Sequence, residues 1–255
     1  MQRYLLRRFL FSLFAIWATA TLTFFFIRAL PGDPVTTMVG NEGDPANIEK
    51  IKNRLGLNKP IPVQYFFYLK SVVKLDLGDS IYLRLPVVDQ IKTAIPRSLS
   101  LALVSFLIAI LIGIPAGIIS ATRRYSIWDH SATLIAFLGL AMPGFWLGVL
   151  LILLFGVWLG LLPVFGYMPL FDKNGVHFWD WFSRLILPAI ATGAGSAAIL
   201  ARQTRSAMLE TLSQDYIRTA YAKGMRERVV IWRHAFRNSL IPVITVMGII
   251  LALLL

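Results

Sequence analysis

No cysteine occurs among the 255 residues, which excludes a disulfide framework, a thiol nucleophile and cysteine-ligated zinc or iron–sulfur chemistry from this chain. Charge is also scarce: 15% of residues are charged, where about 25% is usual for soluble domains. What charge there is leans one way, 25 Lys and Arg against 13 Asp and Glu, for a formal net charge of +12. Histidine is confined to His130, His177 and His234, in separate connecting segments. There is no Gly-x-x-x-x-Gly-Lys phosphate loop and no His-Glu-x-x-His motif. An active site is therefore unsupported, and any energy used must come from another chain.

Apolar residues make up 57% of the sequence, against about 45–50% in soluble domains. This excess points to a bilayer. The basic residues flank apolar runs instead of lining a polar domain, so they read as orientation signals facing membrane lipid and not as a nucleic-acid surface. The first run, Phe9–Leu30, follows Arg3, Arg7 and Arg8 and exceeds the core of a signal peptide, about 7–15 residues. It is expected to be a retained span with a cytoplasmic N-terminus, with Arg28 snorkelling to the outer headgroups.

Pro31–Pro96 reads as an extended external segment with PGDP at 31–34 and two short amphipathic helices, Ala46–Leu57 and Val63–Leu75. Ser98–Thr122 is the second span, and Arg123-Arg124 returns the chain to the cytoplasm. Thr133–Leu162, about 30 residues and hence about 45 Å of helix, predicts one tilted span kinked near Pro143. After an external connection at Pro163–Arg184, with Trp179 and Trp181 at the interfacial level, Leu185–Ala201 forms a short fourth span of small residues suited to the inside of a bundle. Ser239–Leu255 begins a fifth, and its ending in LLALLL without a polar flank predicts that more of it, and a sixth span, follow. The expected organisation is residues 1–30 as N-terminus and first span, 31–97 as external segment, and 98–255 as core with a cytoplasmic loop at 202–238.

Several motifs have two readings. Gly193-Ala-Gly195-Ser-Ala-Ala198 matches a dinucleotide fingerprint on paper but follows no strand, so helix packing is favoured. Gly113/Gly117, Gly144/Gly148 and Gly156/Gly160 have the spacing for close helix approach, between subunits or simply within a glycine-rich membrane bundle. Pro115, Pro143, Pro188 and Pro242 are either hinges or static kinks. Residues 98–122, 133–162 and 185–201 contain no Asp, Glu, Lys or Arg, which argues against an ion-coupled carrier and leaves a passive pore as a rival.

The long polar interruption at Gln214–Pro242, with the turn before it, carries Arg202, Arg205, Arg218, Lys223, Arg226, Arg228, Arg233 and Arg237 against Glu210, Asp215 and Glu227. Tyr216, Ala220 and Lys223 or Gly224 fall at helical spacing, with Gly224 as a stop. Such a helix fits either a groove on a soluble partner or an anionic lipid surface.

The stretch YIRTAYAKGMRERVVIWRHAFRNSLIPV resembles the cytoplasmic coupling loop of permease subunits in bacterial ABC importers, in the dipeptide/oligopeptide/nickel branch. The resemblance runs almost end to end, through RYLLRRFL, LPGDP at 30–34, LGLNKPIPVQYFFYL at 55–69, LDLGDSI at 75–81 and AMPGFWLGVLLILLFGVWLGLLPVFG at 141–166. The wider family's loop has Glu-Ala-Ala, three residues, then Gly; here Arg218, Thr219 and Ala220 stand before Gly224, so only Ala220 and Gly224 match, and no role needing a carboxylate at 218 carries over.

The resemblance implies an all-α polytopic bundle with about five spans present and a sixth expected. It implies a non-catalytic transport subunit whose ATPase-coupling residues are Asp215, Tyr216, Arg218, Thr219, Ala220, Lys223 and Gly224. It further implies a homologous second permease, two cytoplasmic ATPase subunits that bind the ATP and magnesium, and an external solute-binding protein received in part by Pro31–Pro96. This chain itself is expected to hold no cofactor. The implied cargo is short peptides, with nickel or a nickel chelate as the alternative within the branch, and a passive channel or membrane scaffold as the alternative outside it.

Overall fold

The computed structural model describes residues 2–29, 57–80, 83, 85–173 and 175–255. The PGDP turn, and the expected helix at Ala46–Leu57 apart from its last residue, lie outside the described residues. The chain is all-α except for a two-residue hairpin, β1 (Phe171–Asp172) against β2 (Gly175–Val176), and one isolated bridge among the described residues. It divides into two units, Met1–Thr93 and Ala94–Leu255.

In the first unit, α1 (Gln2–Ala29) carries no charge between Arg8 and Arg28 and buries only Phe24. A long apolar helix with so little of its surface covered needs an apolar solvent, which the bilayer provides. Helix α2 (Ile61–Val73) starts as KPIP requires: Pro60 precedes it and Pro62 sits in its first turn, where a missing N–H costs no hydrogen bond. Phe24 is enclosed by Tyr65 and Tyr68 of α2, each with ring centroids 5.2 Å away. Thr21 Oγ1 and Tyr65 Oη are 2.7 Å apart. Arg28 is held by contacts within this unit. Its guanidinium lies 3.6 Å from the Phe24 ring centroid and donates through Nε and Nη2 to Gln64 Oε1, at 3.0 and 2.9 Å.

The second unit contains most of α3 (Val87–Thr122), then α4 (Ile127–Ala141), α5 (Gly144–Leu151), α6 (Phe178–Leu212), α7 (Asp215–Ala222), α8 (Glu227–Val229) and α9 (Arg237–Leu254). Helix α3 starts at Val87, earlier than the expected span at Ser98, and carries Pro96 within it. Pro96 is exposed, so the carbonyl it leaves unpaired one turn back can bond to solvent. Helix α6 runs well beyond Leu185–Ala201 at both ends. Its 35 residues make about 52 Å at about 1.5 Å per residue, enough to carry Arg202 and Arg205 past a core of about 30 Å.

The small residues of α6 let α3 approach closely. A Cβ on Gly113 would come within 2.7 Å of the Ala197 carbonyl oxygen, and one on Gly117 within 2.6 Å of that of Ala201. Gly193 makes the reciprocal contact with the Ser105 carbonyl, and Ser105 Oγ and Thr192 Oγ1 are 2.6 Å apart beside it. The dinucleotide-like run is thus a packing surface. Gly144 and Gly148 face Ala191 at looser range, while Gly160 adopts φ +62° at a turn.

The expectation of one tilted helix at Thr133–Leu162 is corrected. Helix α4 stops at Ala141, Met142 is extended, and the chain turns through 103° into α5, which continues as a π-helical segment, Ile152–Trp158. Proline at 143 disfavours the helical conformation for the residue before it, and Met142 is extended with ψ 126° where the helix ends. Pro115, Pro188 and Pro242 lie inside continuous helices, and only Pro143 sits at a break. Among the described residues four helices are long and apolar enough to cross a membrane, or up to five if the bent pair counts as one span.

Candidate coupling site and its anchorage

The expected stop at Gly224 is built as a complete C-terminal cap. Lys223 follows α7, the Gly224 N–H donates to the Tyr221 carbonyl at 2.9 Å, and the Met225 N–H reaches back to the Ala220 carbonyl at 3.3 Å. This paired closure needs a left-handed residue, and Gly224 has φ +72°. Nothing lies within 4 Å of a Cβ built there, so glycine is required by backbone conformation and not by crowding.

Helix α7 is amphipathic, and its two faces have different work. Ile217 and Ala220 are buried, packing in a cluster with Ile118, Ala121, Met208, Val230 and Ala235. Asp215, Tyr216, Arg218, Thr219, Lys223 and Gly224 are exposed. The seven residues expected at the site are therefore brought together on one short element, but Ala220 points into the chain's own core while the other six form the outward surface. Ala220 is buried in that cluster, so a larger side chain would have to displace its neighbours.

The outward face is held locally. Thr219 Oγ1 donates to the Asp215 carbonyl at 3.0 Å, and Arg218 Nη1 lies 3.4 Å from Asp215 Oδ1 in an exposed pair that contributes little stability. Asn238 Nδ2 donates both to Tyr216 Oη at 3.0 Å and to the His234 carbonyl at 2.8 Å, tying α7 to the start of α9. Between them, Glu227–Val229 leads into a second π-helical segment, Val230–Phe236, which buries Val230 and Ala235 under α7.

Sequence reasoning missed the polar anchor beneath this site. Arg205, counted above with the basic loop, turns inward and meets Asp129 in a two-point contact, Nε to Oδ1 and Nη2 to Oδ2, both 2.9 Å. Ser120 Oγ donates to the same carboxylate, as does the Tyr125 N–H at 3.0 Å. Asp129 is only 3% exposed. The signal available in the sequence was that Asp129 is the one carboxylate between Asp89 and Asp172, three residues after Ser126, whose Oγ caps α4 by accepting from the Asp129 N–H at 3.4 Å. Among the described residues no three His, Asp or Glu side chains cluster in a way that could hold a metal ion.

Helices of membrane-crossing length, packed through small residues, with a short amphipathic helix held outside the apolar runs, define a polytopic membrane protein. Residues 113–255 match the family model described as binding-protein-dependent transport system inner membrane component, and residues 1–102 match its N-terminal companion. The chain belongs to this family. Among curated proteins it is similar to the dipeptide transport system permease protein DppB of Alkalihalophilus pseudofirmus, 38% identical over 98% of this chain and 80% of that one. It is similar also to the oligopeptide transport system permease protein AppB of Bacillus subtilis, at 41% identity over 98% of this chain and 79% of the other. The DppB of Escherichia coli is 38% identical with the same coverage of both chains.

Proposed function

We propose that this chain forms part of the translocation pathway of an ATP-driven importer of short peptides, with α7 as the element through which the ATPase drives it. The observation that carries the coupling role is the construction of α7: one face fused to the bundle through Ile217 and Ala220, the other free, and both ends fixed by the Gly224 cap and the Tyr216–Asn238 bond. A helix built this way passes a push on its outer face into α3, α6 and the start of α9 as a rigid displacement. The peptide cargo is supported by the dipeptide and oligopeptide names of the relatives.

In this reading ATP and magnesium bind to two partner ATPase subunits and the chain itself is non-catalytic. A homologous permease completes the pathway, and an external binding protein delivers peptide to a surface that includes segment 31–97. The N-terminus lies in the cytoplasm, on the same side as α7, as the basic residues at 3, 7 and 8 favour. The test is peptide uptake into vesicles holding the chain with its partner subunits. ATP-dependent accumulation is expected; equal uptake without any ATPase subunit would make the protein a channel and overturn the reading.

A further inference from the structure

A cavity of about 520 Å³ opens beside the coupling site, between the end of α3, the start of α4 and the π-helical run before α9. Its size falls within the range of small-molecule sites, about 300–1,000 Å³. Two guanidiniums, Arg123 and Arg228, and two indoles, Trp128 and Trp232, line it together with the apolar side chains of Ile119 and Ile231. Glu227 also lines it, one carboxylate against two guanidiniums, and neither arginine makes an ion pair with a carboxylate among the described residues. The Arg123 guanidinium lies 5.8 Å from the Trp128 ring centroid.

The depth of the cavity decides its ligand. Arg123 follows directly on Thr122, where the apolar helix α3 ends, and Arg228 stands at the start of the membrane-crossing helix Glu227–Leu254. Arg123 thus stands where the apolar run of α3 gives way to polar chain, the depth at which headgroups lie, and Arg228 shares the cavity with it. Trp128 and Trp232 are about half exposed, as indoles of an interfacial belt are. Ile119 and Ile231 continue the wall towards the apolar runs. Positive charge at the headgroup level joined to an apolar wall is complementary to one kind of molecule in that position. We propose that this cavity binds an anionic glycerophospholipid of the leaflet on the α7 side, its phosphate between Arg123 and Arg228 and an acyl chain along Ile119 and Ile231. The bound lipid then braces the end of α3 against the segment that follows α7.

The inference is independent of cargo and coupling, and its test needs no transport. The full chain is reconstituted in nanodiscs of equal phosphatidylglycerol and phosphatidylcholine, extracted in mild detergent, and its retained lipid identified by native mass spectrometry. One phosphatidylglycerol per chain is expected. The double variant Arg123→Gln/Arg228→Gln is expected to bind it roughly 10- to 30-fold more weakly, at about 1 kcal/mol per basic residue near a lipid surface. Arg124→Gln, outside the cavity lining, is expected to retain it. Ile119→Trp keeps both charges and fills the apolar wall, so it is expected to lose the lipid too and decides the matter if the double variant does not fold. Equal retention of phosphatidylcholine, or unchanged retention in both cavity variants, would overturn the proposal. So would loss of the lipid on assembly with the partner subunits, since protein would then be the occupant.

Discussion

Arg205 of α6 and Asp129 of α4 meet through both guanidinium edge and both carboxylate oxygens, 76 residues apart in the sequence and 2.9 Å apart in space. This pair, with Ser120 of α3 between its partners, joins three helices at the end of the bundle that carries α7. A buried pair of this kind contributes little against an apolar replacement, but breaking it strands a charge. Arg205→Ala is therefore expected to destabilise the protein by about 3 kcal/mol, the lower end of the usual range because Arg205 is 31% exposed. In thermal unfolding in detergent, the double change Asp129→Ala/Arg205→Ala is expected to cost less than the sum of the single ones; simple additivity would show that the pair is not coupled.

Ala220 and Arg218 occupy opposite faces of α7 and should fail in different ways. Ala220→Leu overpacks the cluster around Met208 and Val230 and is expected to cost about 1–3 kcal/mol of stability. Arg218→Glu is expected to leave unfolding unchanged within about 0.5 kcal/mol and to lower substrate-stimulated ATP hydrolysis by the assembled transporter. A stable Ala220→Leu protein with weakened ATPase association would instead place Ala220 at the partner surface.

At Gly224 the penalty is conformational. Gly224→Ala holds a side chain at φ +72° and is expected to cost about 1–2 kcal/mol, loosening the end of α7 without blocking membrane insertion. Faster amide exchange at Lys223, Gly224 and Met225, with transport reduced, is the expected signature.

The glycines of α3 and α5 differ in what surrounds them. Gly117→Ala pushes a Cβ to within 2.6 Å of backbone oxygen and is expected to separate α3 from α6 at a cost of about 1–3 kcal/mol. Gly148→Ala meets only the Ala191 side chain at 3.6 Å and is expected to be neutral. Paired melting temperatures check the contrast.

Because no native cysteine interferes, topology is directly measurable. Single cysteines at the exposed positions Lys74 and Ser206 are expected to react with impermeant reagent from outside and inside respectively. Labelling of both from one side would refute the orientation set out above.

Much of this was legible in the order of residues. Hydropathy located the apolar helices α1, α3, α6 and α9 because a stretch of about 20 apolar residues is stable only in a bilayer, whatever its neighbours. The limits of α7 were legible for the same local reason. Tyr216 and Ala220 lie one helical turn apart, and Gly224 can take the left-handed conformation that ends a helix. Helix ends were read less well, at Val87 and Leu212, because polar turns continue a helix beyond the membrane without leaving a hydropathy signal.

Sequence alone determined that this is a charge-poor membrane chain with a short helix between the apolar runs of α6 and α9, since composition, spacing and glycine conformation act over a few residues. Tertiary structure decided which side of that helix is free, that Arg205 belongs to the interior, and that Met142-Pro143 turns the chain through 103° instead of kinking it. Each of these depends on contacts between residues distant in the chain. Packing energy and charge pairing, not local propensity, select among the alternatives that the sequence permits.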